Sequence, residues 1–93
     1  MRMEYRHITN GTIEINSGSE LKLFGIHNGT LIIKGGAKCY IYGILNGSLI
    51  NQGHTEIFGM VNKFHNSGSP VLFHKGSFCN GVEFVEDTLT TSE

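Results

Sequence analysis

The chain of 93 residues is long enough for one small domain, which buries only about 60 to 65% of its unfolded surface. A hydrophobic content of 39% supports a core, and a net charge of −1 argues against the basic surface of a nucleic-acid partner. No apolar run approaches the roughly 18 residues of a membrane helix, and the first residues do not resemble a signal peptide. With only two cysteines, the composition predicts a reduced, cytoplasmic protein without a membrane span.

An internal repeat with a period of about 18 residues organises the chain. Between the first two units, seven of 18 aligned positions are identical, and the third unit keeps the pattern with two deletions. Two degenerate units and a polar tail follow. We therefore predict a single domain of about five coils, with units near 8–25, 26–43, 44–59, 60–77 and 78–89 and the tail at 90–93.

Apolar residues within each unit lie two positions apart, as Ile13 and Ile15 do, which is the spacing of a strand and not of a helix. Strands this short need neighbours in register, so the pattern predicts an all-β fold, a parallel β-helix or β-solenoid. Six-residue steps from Ile8 fall on Glu14 and Glu20, which fails the left-handed hexapeptide pattern and favours a right-handed solenoid. The side chains predicted to point into the core are Ile13, Ile15, Leu21, Leu23 and Ile26.

Asparagine recurs at one position of every unit, and glycine follows it in all units but the fourth. An Asn-Gly pair accepts the left-handed backbone of a corner, and stacked Asn side chains can hydrogen-bond between coils. The same dipeptide is the strongest hairpin signal, so an antiparallel meander is the competing architecture. A meander would need equivalent turns about every 8 residues, whereas the equivalent turn here returns every 18. The predicted corners are Asn10, Asn28, Asn46 and Asn80, with Asn62 in the same column.

Three columns of apolar residues fall on positions that are predicted to face water. One explanation is structural, because rings stacked between neighbouring coils gain about 0.2 to 1 kcal/mol per pair. The other is an interaction site, because a contiguous apolar patch on a small protein marks a binding surface. The columns are Phe24, Tyr42 and Phe58 with Tyr40 beside them, then Ile32 and Ile50, then Leu45 and Val61; the first two columns supply the predicted protein-binding residues.

Candidate chemistry is sparse. Cys39 falls on an inward position, whereas Cys79 falls on the position of His27, which is predicted to face outward, so a disulfide is disfavoured. Short loops leave little from which to build a pocket, and carboxylates are dispersed, so we predict neither an enzyme nor a cofactor. Histidines occupy different repeat positions and are expected at the surface or at corners instead of around a metal; they are His7, His27, His54, His65 and His74.

Both ends of a solenoid expose unpaired strand edges that need a cap or a partner. At the start of the chain, Met3 and Tyr5 occupy the repeat positions of two core leucines and are the predicted self-association residues. At the other end, charged and hydroxyl side chains from Glu86 onward predict a polar stop. One open end and one blocked end would favour an isologous dimer, whereas two open ends would give a filament.

Coils that run G-x-[LI]-x-I-x-x-G and return through [LI]-x-G to Asn-Gly resemble those of bactofilins, bacterial cytoskeletal proteins with a right-handed β-helical core. The resemblance covers Ile8 to Gly59. It implies a bacterial, cytoplasmic and nucleotide-independent polymer that assembles by end-to-end stacking of solenoids.

These patterns support two functions of different classes. The first is a non-enzymatic structural or scaffold module that self-associates into a homo-oligomer through its solenoid ends or its aromatic side. The second is a small cytoplasmic immunity or inhibitor-type protein that binds one protein partner through its aromatic face. A carbohydrate-active β-helix would need a groove with paired carboxylates, which the sequence does not indicate.

Overall fold

A computed structural model gives the fold and describes residues 2–66 and 71–90. Those residues form twelve β-strands, and none of them belongs to a helix that could cross a bilayer. The strands are β1 (Arg2–Tyr5), β2 (Ile8–Ile15), β3 (Glu20–Leu23), β4 (Ile26–Ile33), β5 (Lys38–Ile41), β6 (Ile44–Asn51), β7 (His54–Ile57), β8 (Met60–Asn66), β9 (Val71–Phe73), β10 (Phe78–Cys79), β11 (Val82–Glu83) and β12 (Thr88–Thr90).

The chain alternates between two six-stranded sheets: sheet A has the order β1-β3-β5-β7-β9-β12 and sheet B the order β2-β4-β6-β8-β10-β11. Neighbouring strands within each sheet pair in parallel as far as β9 and β10. Ile8 therefore lies opposite Ile26, and Ile26 lies opposite Ile44, at steps of 18 residues. The next step, from Ile44 to Met60, is 16 residues. The predicted all-β solenoid is therefore confirmed, as a stack of about four turns. Its handedness stays a prediction.

The core is one cluster of apolar side chains that joins all the coils. Alternation along each strand sends every second side chain inward, which is why the pattern of burial repeats from coil to coil. Ile15, Leu21 and Leu23 are buried as predicted, and Ile13 packs against the cluster from its edge. The other buried members are Leu31, Ile33, Ala37, Cys39, Ile41, Leu45, Leu49, Ile57, Val61, Val71 and Phe73.

The predicted assignment of inward-facing and outward-facing side chains is wrong at the start of each coil. Ile26 is only half-buried, whereas Leu45 and Val61, which were predicted to face water, have no exposed surface. The reason is that β4 and β6 are continuous eight-residue strands, so the alternation set by their last residues runs back through the Asn-Gly pair. Cys79 belongs to the same column and packs against the core instead of facing outward.

His27, expected at the surface or a corner, is fully buried in this column. Its Nε2 atom lies 2.8 Å from the carbonyl oxygen of Gly11, and its Nδ1 atom lies 2.7 Å from the Thr9 hydroxyl. Because a carbonyl oxygen only accepts hydrogen bonds, Nε2 carries the donated proton. The imidazole thus fills the core and satisfies its polar atoms by tying the second coil to the first.

Three of the Asn-Gly pairs, at 10–11, 28–29 and 46–47, lie inside the continuous strands β2, β4 and β6. Gly29 has a φ of 138°, and an added Cβ would press against the backbone of Gly11, so only glycine fits. The Asn28 amide donates to Asn10 Oδ1 at 3.3 Å, and the Asn46 amide donates to Asn28 Oδ1 at 3.2 Å. These bonds join three coils on the outside of the stack. They reinforce the in-register pairing that the backbone ladders set.

The fourth coil passes this corner differently. The register shifts between Leu45 and Ser48, because Asn62 alone stands where the third coil has two residues. Lys63 follows Asn62 directly, so the glycine of the other corners is missing. The repeat is therefore already irregular in the fourth coil, one coil before the chain reverses direction.

The fifth unit begins as a coil and then reverses. Phe78 still pairs in parallel with Met60, but Asn80 and Gly81 both adopt left-handed conformations, with φ values of 51° and 81°. Two left-handed residues in a row make a hairpin turn, so β11 returns antiparallel to β10. The predicted fifth coil is therefore not completed.

The last described strand closes the other sheet. β12 pairs antiparallel with β9, with Thr90 opposite Val71. Phe84, between the two closing strands, stacks on Phe73 with ring centroids 4.4 Å apart. The predicted polar tail at 90–93 thus contributes Thr90 to a strand, and residues 91–93 lie outside the described part of the chain.

Candidate interaction surfaces

A ladder of stacked rings runs along the solenoid where the strands of sheet A end. Phe24, Tyr42 and Phe58 stack with centroid distances of 5.0 and 4.6 Å and interplanar angles of 6° and 8°. The Arg6 guanidinium lies 4.4 Å from the centroid of Phe24 at one end, and His74 stacks on Phe58 at 4.0 Å at the other. These five residues are called the aromatic ladder below. Its three phenyl rings are 37–41% exposed.

In-register parallel pairing explains the aromatic ladder, because residues at the same repeat position of successive coils lie directly above one another. Each of the three rings is covered on both faces, by a ring or by the guanidinium. Only ring edges meet solvent, so a sugar or a base that stacks face to face has no open phenyl face to use. The aromatic ladder therefore stabilises the stack and presents an apolar rim at the same time.

A shallow apolar groove of about 260 Å³ lies beside the aromatic ladder. Its floor is bare backbone, since a Cβ on Gly43 would strike the carbonyl oxygen of Gly25. The volume is below the range of roughly 300 to 1,000 Å³ that is usual for small-molecule sites, which suits a single side chain of a protein partner better. The lining residues are Tyr42, Gly43, Ile44, Gly59, Met60, Gly76 and Phe78.

The other predicted binding residues lie on different faces. Tyr40 is on the outer face of sheet A, with its ring centroid 6.2 Å from that of His54. Burial raises the pKa of the Tyr40 phenol, and the nearby Glu56 carboxylate adds to this effect. Ile32 and Ile50 lie opposite each other on sheet B, and both are half-buried. The predicted set is thus divided between the aromatic ladder, sheet A and sheet B.

A cluster of one carboxylate and two histidines lies on the outer face of sheet A. The two oxygens of Glu56 lie 2.7 Å from His54 Nε2 and 2.8 Å from His74 Nε2. The hydrogen bond from His54 is the main cause that lowers the pKa of Glu56. His74 also lies 3.8 Å from Asp87, which accepts a hydrogen bond from the Lys75 backbone amide. This cluster, which sequence reasoning missed, ties the third coil to the closing segment.

The repeat does not indicate this cluster, because the step between these two coils is 16 residues, so Glu56 lies opposite Leu72 and His74 reaches it diagonally. Asp87 joins only through the reversal of the chain after Gly81, which no repeat position indicates. Among residues 2–66 and 71–90, no three histidine, cysteine or acidic side chains are grouped as metal ligands.

Neither thiol is arranged for chemistry. Burial raises the pKa of the Cys39 thiol to about 12 and also raises the pKa of Cys79. A thiol becomes a nucleophile only as the thiolate, which burial disfavours in both residues. Cys39 acts as a small core residue, and Cys79 packs at the edge of the same core.

The two ends of the solenoid have different edges. At the N-terminal end, β1 and β2 are the outermost strands of sheets A and B, and they are four and eight residues long. Met3 and Tyr5 point from β1 toward the end of the core. At the C-terminal end the outermost strands are β11 and β12, which are antiparallel to their neighbours and only two and three residues long. In sheet A the antiparallel β12 covers all of β9, whereas in sheet B β10 pairs only with Met60 and Val61 of the seven-residue β8. Short, irregular edges discourage further pairing, so among the described residues the N-terminal end has the longer regular edge.

No protein-family model, curated protein or solved structure matches the chain. The fold is therefore defined by the geometry of this structure as a β-solenoid, and its possible partners must be inferred from its own surfaces.

Proposed function

We propose that the protein is a non-enzymatic scaffold module that self-associates through the open N-terminal end of its solenoid. The difference between the two ends carries this proposal. A parallel edge of twelve residues in β1 and β2 is offered at one end, whereas at the other end short strands cover sheet A and the first two residues of β8 in sheet B. Unpaired strand edges recruit other strands through their free amide and carbonyl groups.

The stacked-coil architecture is the feature that the chain shares with bactofilins, and it supports a related, end-to-end mode of assembly. A bactofilin-like polymer needs two open ends, while this chain offers one and blocks the other. A single open end makes an isologous contact, in which two copies meet through the same surface. We therefore expect a closed homodimer as the assembled form.

The test is light scattering coupled to size-exclusion chromatography, from about micromolar to near-millimolar concentration. We expect the mass to rise to twice the 10.2 kDa of the chain and to stop there. A monomer at every concentration would overturn the proposal. A mass that grows without limit would overturn the closed dimer in favour of a polymer with a second interface.

Two matched variants locate the contact. Tyr5→Lys places a charge at the open end, and Leu89→Lys places the same charge on β12, where Leu89 is 62% exposed. We expect Tyr5→Lys to weaken self-association and Leu89→Lys to leave it unchanged. The reverse result would move the contact to the closed end.

A second candidate function is binding of one protein partner through the aromatic side, as an immunity or inhibitor-type protein would do. The groove beside the aromatic ladder supports it, because the groove is apolar and sized for a side chain. Met60 is a better probe than Tyr42, whose ring is stacked on both faces and stabilises the fold. Met60→Lys should abolish capture of such a partner, while Val85→Lys, at a residue that is 73% exposed, should not. Capture that survives Met60→Lys would contradict this candidate.

A further inference from the structure

The chain's own β1 is the strand that best completes the open edge of sheet A. We propose that β1 pairs with β1 of a second copy, antiparallel, with Met3 opposite the second copy's Met3. This inference rests on the proposed self-association and assigns its register.

Charges on the outer face of sheet A alternate in sign across its first strands, β1, β3 and β5. Arg2 lies opposite Glu20, which lies opposite Lys38, and in the next column Glu4 lies opposite Lys22. Opposite charges on paired strands attract, and like charges in this position destabilise the pairing. The strand beyond β1 should therefore place a carboxylate beside Arg2 and a cation beside Glu4.

Side-chain alternation limits the possible registers. In β1 the side chains of Met3 and Tyr5 face the core, while Arg2 and Glu4 are exposed. Two antiparallel copies must keep these faces matched, which leaves two registers that pair three residues of the four-residue strand. One is centred on Met3 and the other on Glu4.

Charge separates the two registers. With Met3 at the centre, Arg2 of each copy lies beside Glu4 of the other, so the contact continues the alternation of sheet A. With Glu4 at the centre, two carboxylates lie opposite each other, which is unfavourable. The Met3-centred register is also isologous, as a dimer related by a two-fold axis requires.

A head-to-tail neighbour fits this edge less well. Such a copy would offer β12, whose residues Thr88, Leu89 and Thr90 carry no charge. Arg2 and Glu4 would then have no opposite charge beside them on the new strand. The uncharged β12 edge thus favours pairing of the N-terminal end with itself.

Disulfide crosslinking tests the register directly. Directly opposed Cα atoms in antiparallel strands are about 4.5 to 5.5 Å apart, within the 4.4 to 6.8 Å that a disulfide spans. In a Cys79→Ser background, Met3→Cys should form a crosslinked dimer on mild oxidation, and Glu4→Cys should not. In the proposed register the two Glu4 positions are diagonal neighbours, roughly 7 to 8 Å apart. Crosslinking of Glu4→Cys alone would overturn the register in favour of the other one.

Charge reversal gives a second, independent measurement. Arg2→Glu and Glu4→Arg should each raise the dissociation constant of the dimer at least about tenfold, because each places like charges across the contact. In an equimolar mixture, every cross-copy pair becomes opposite again, so heterodimers should form with near wild-type affinity. Restoration by mixing cannot come from repair of either monomer, which keeps its own altered charges.

The outcomes separate this inference from the proposed function. A wild-type dimer in which Met3→Cys fails to crosslink, or in which the two charge variants do not associate on mixing, overturns the register alone. A wild-type chain that never dimerises overturns both.

Discussion

The dipeptide Asn-Gly produces two different structures in this protein. At Asn28-Gly29 only the glycine is left-handed, and the strand continues through the corner into the next part of the coil. At Asn80-Gly81 both residues are left-handed, and the chain folds back as a hairpin. The solenoid corner and the hairpin turn, which the sequence offers as competing interpretations, therefore both occur.

The residues that follow the dipeptide explain the difference. Three positions after Asn28 comes Leu31, which is fully buried, and three positions after Asn80 comes Glu83. A fifth coil like the second would bury the Glu83 carboxylate in the core, which is costly without a partner. The hairpin keeps Glu83 exposed and lets Phe84 stack on Phe73 instead. Whether an Asn-Gly pair continues a coil or reverses the chain therefore depends on which side chains it would place in the core.

The largest expected effect comes from placing a carboxylate where the second and third coils have leucine. Leu49→Glu should cost more than about 4 kcal/mol of unfolding free energy, because it buries an unpaired charge. Leu49→Met, which nearly conserves volume, should cost less than about 1.5 kcal/mol. Urea denaturation followed by circular dichroism measures both. A Leu49→Glu protein as stable as the wild type would remove the explanation given for the hairpin.

An intermediate loss of stability is expected when alanine replaces glycine, and the loss should differ between Gly29 at the corner and Gly81 at the hairpin. Gly29→Ala combines left-handed strain with a Cβ that meets the Gly11 backbone, so we expect a loss of about 3 kcal/mol. Gly81→Ala carries the strain alone, since nothing lies within 4 Å of its added Cβ, and should cost about 1 to 2 kcal/mol. Denaturant midpoints of the two variants give the comparison. Equal losses would mean that close packing of coils contributes nothing at the corner.

The smallest effect concerns pH and the contact between the regular coils and the closing segment. The hydrogen bond from His54 lowers the pKa of Glu56 in the folded state, so this carboxylate stabilises the fold above its ordinary pKa. The contribution is lost as the pH falls through the lowered value. Glu56→Gln should therefore flatten the acid side of the melting-temperature profile as the pH falls below the ordinary glutamate pKa of 4.5. Glu20→Gln, on the same face of sheet A, is the matched control, and an unchanged acid side in Glu56→Gln would contradict the prediction.

Much of the fold could be predicted because the sequence repeat specifies the strands and their register. Ile15, Leu21 and Leu23 recur with strand spacing, so a core of alternating side chains follows from the pattern. The phase of Ile26 and His27 could not, because a corner inside a continuous strand does not reset the alternation, and hydropathy alone favours isoleucine over histidine for the core. His27 enters the core only because Gly11 and Thr9 of the neighbouring coil satisfy its two nitrogens.

The candidate surfaces were predicted in part. The 18-residue period placed Phe24 above Tyr42. Arg6 and His74 continue the same column, but a search for apolar residues passes over a guanidinium and an imidazole, so the coverage of the end rings was missed. The link between Glu56 and Asp87 through His74 likewise needs the chain reversal at the end.

By itself, the sequence determined the strands and their parallel stacking, because these depend on side-chain alternation and on a period that returns each residue above its counterpart. Tertiary structure alone decided where the coils give way to a hairpin. Whether the chain forms another corner or a hairpin depends on the cost of burying the Glu83 carboxylate relative to the gain from packing Phe84 on Phe73. Those contacts exist only after the preceding coils have formed.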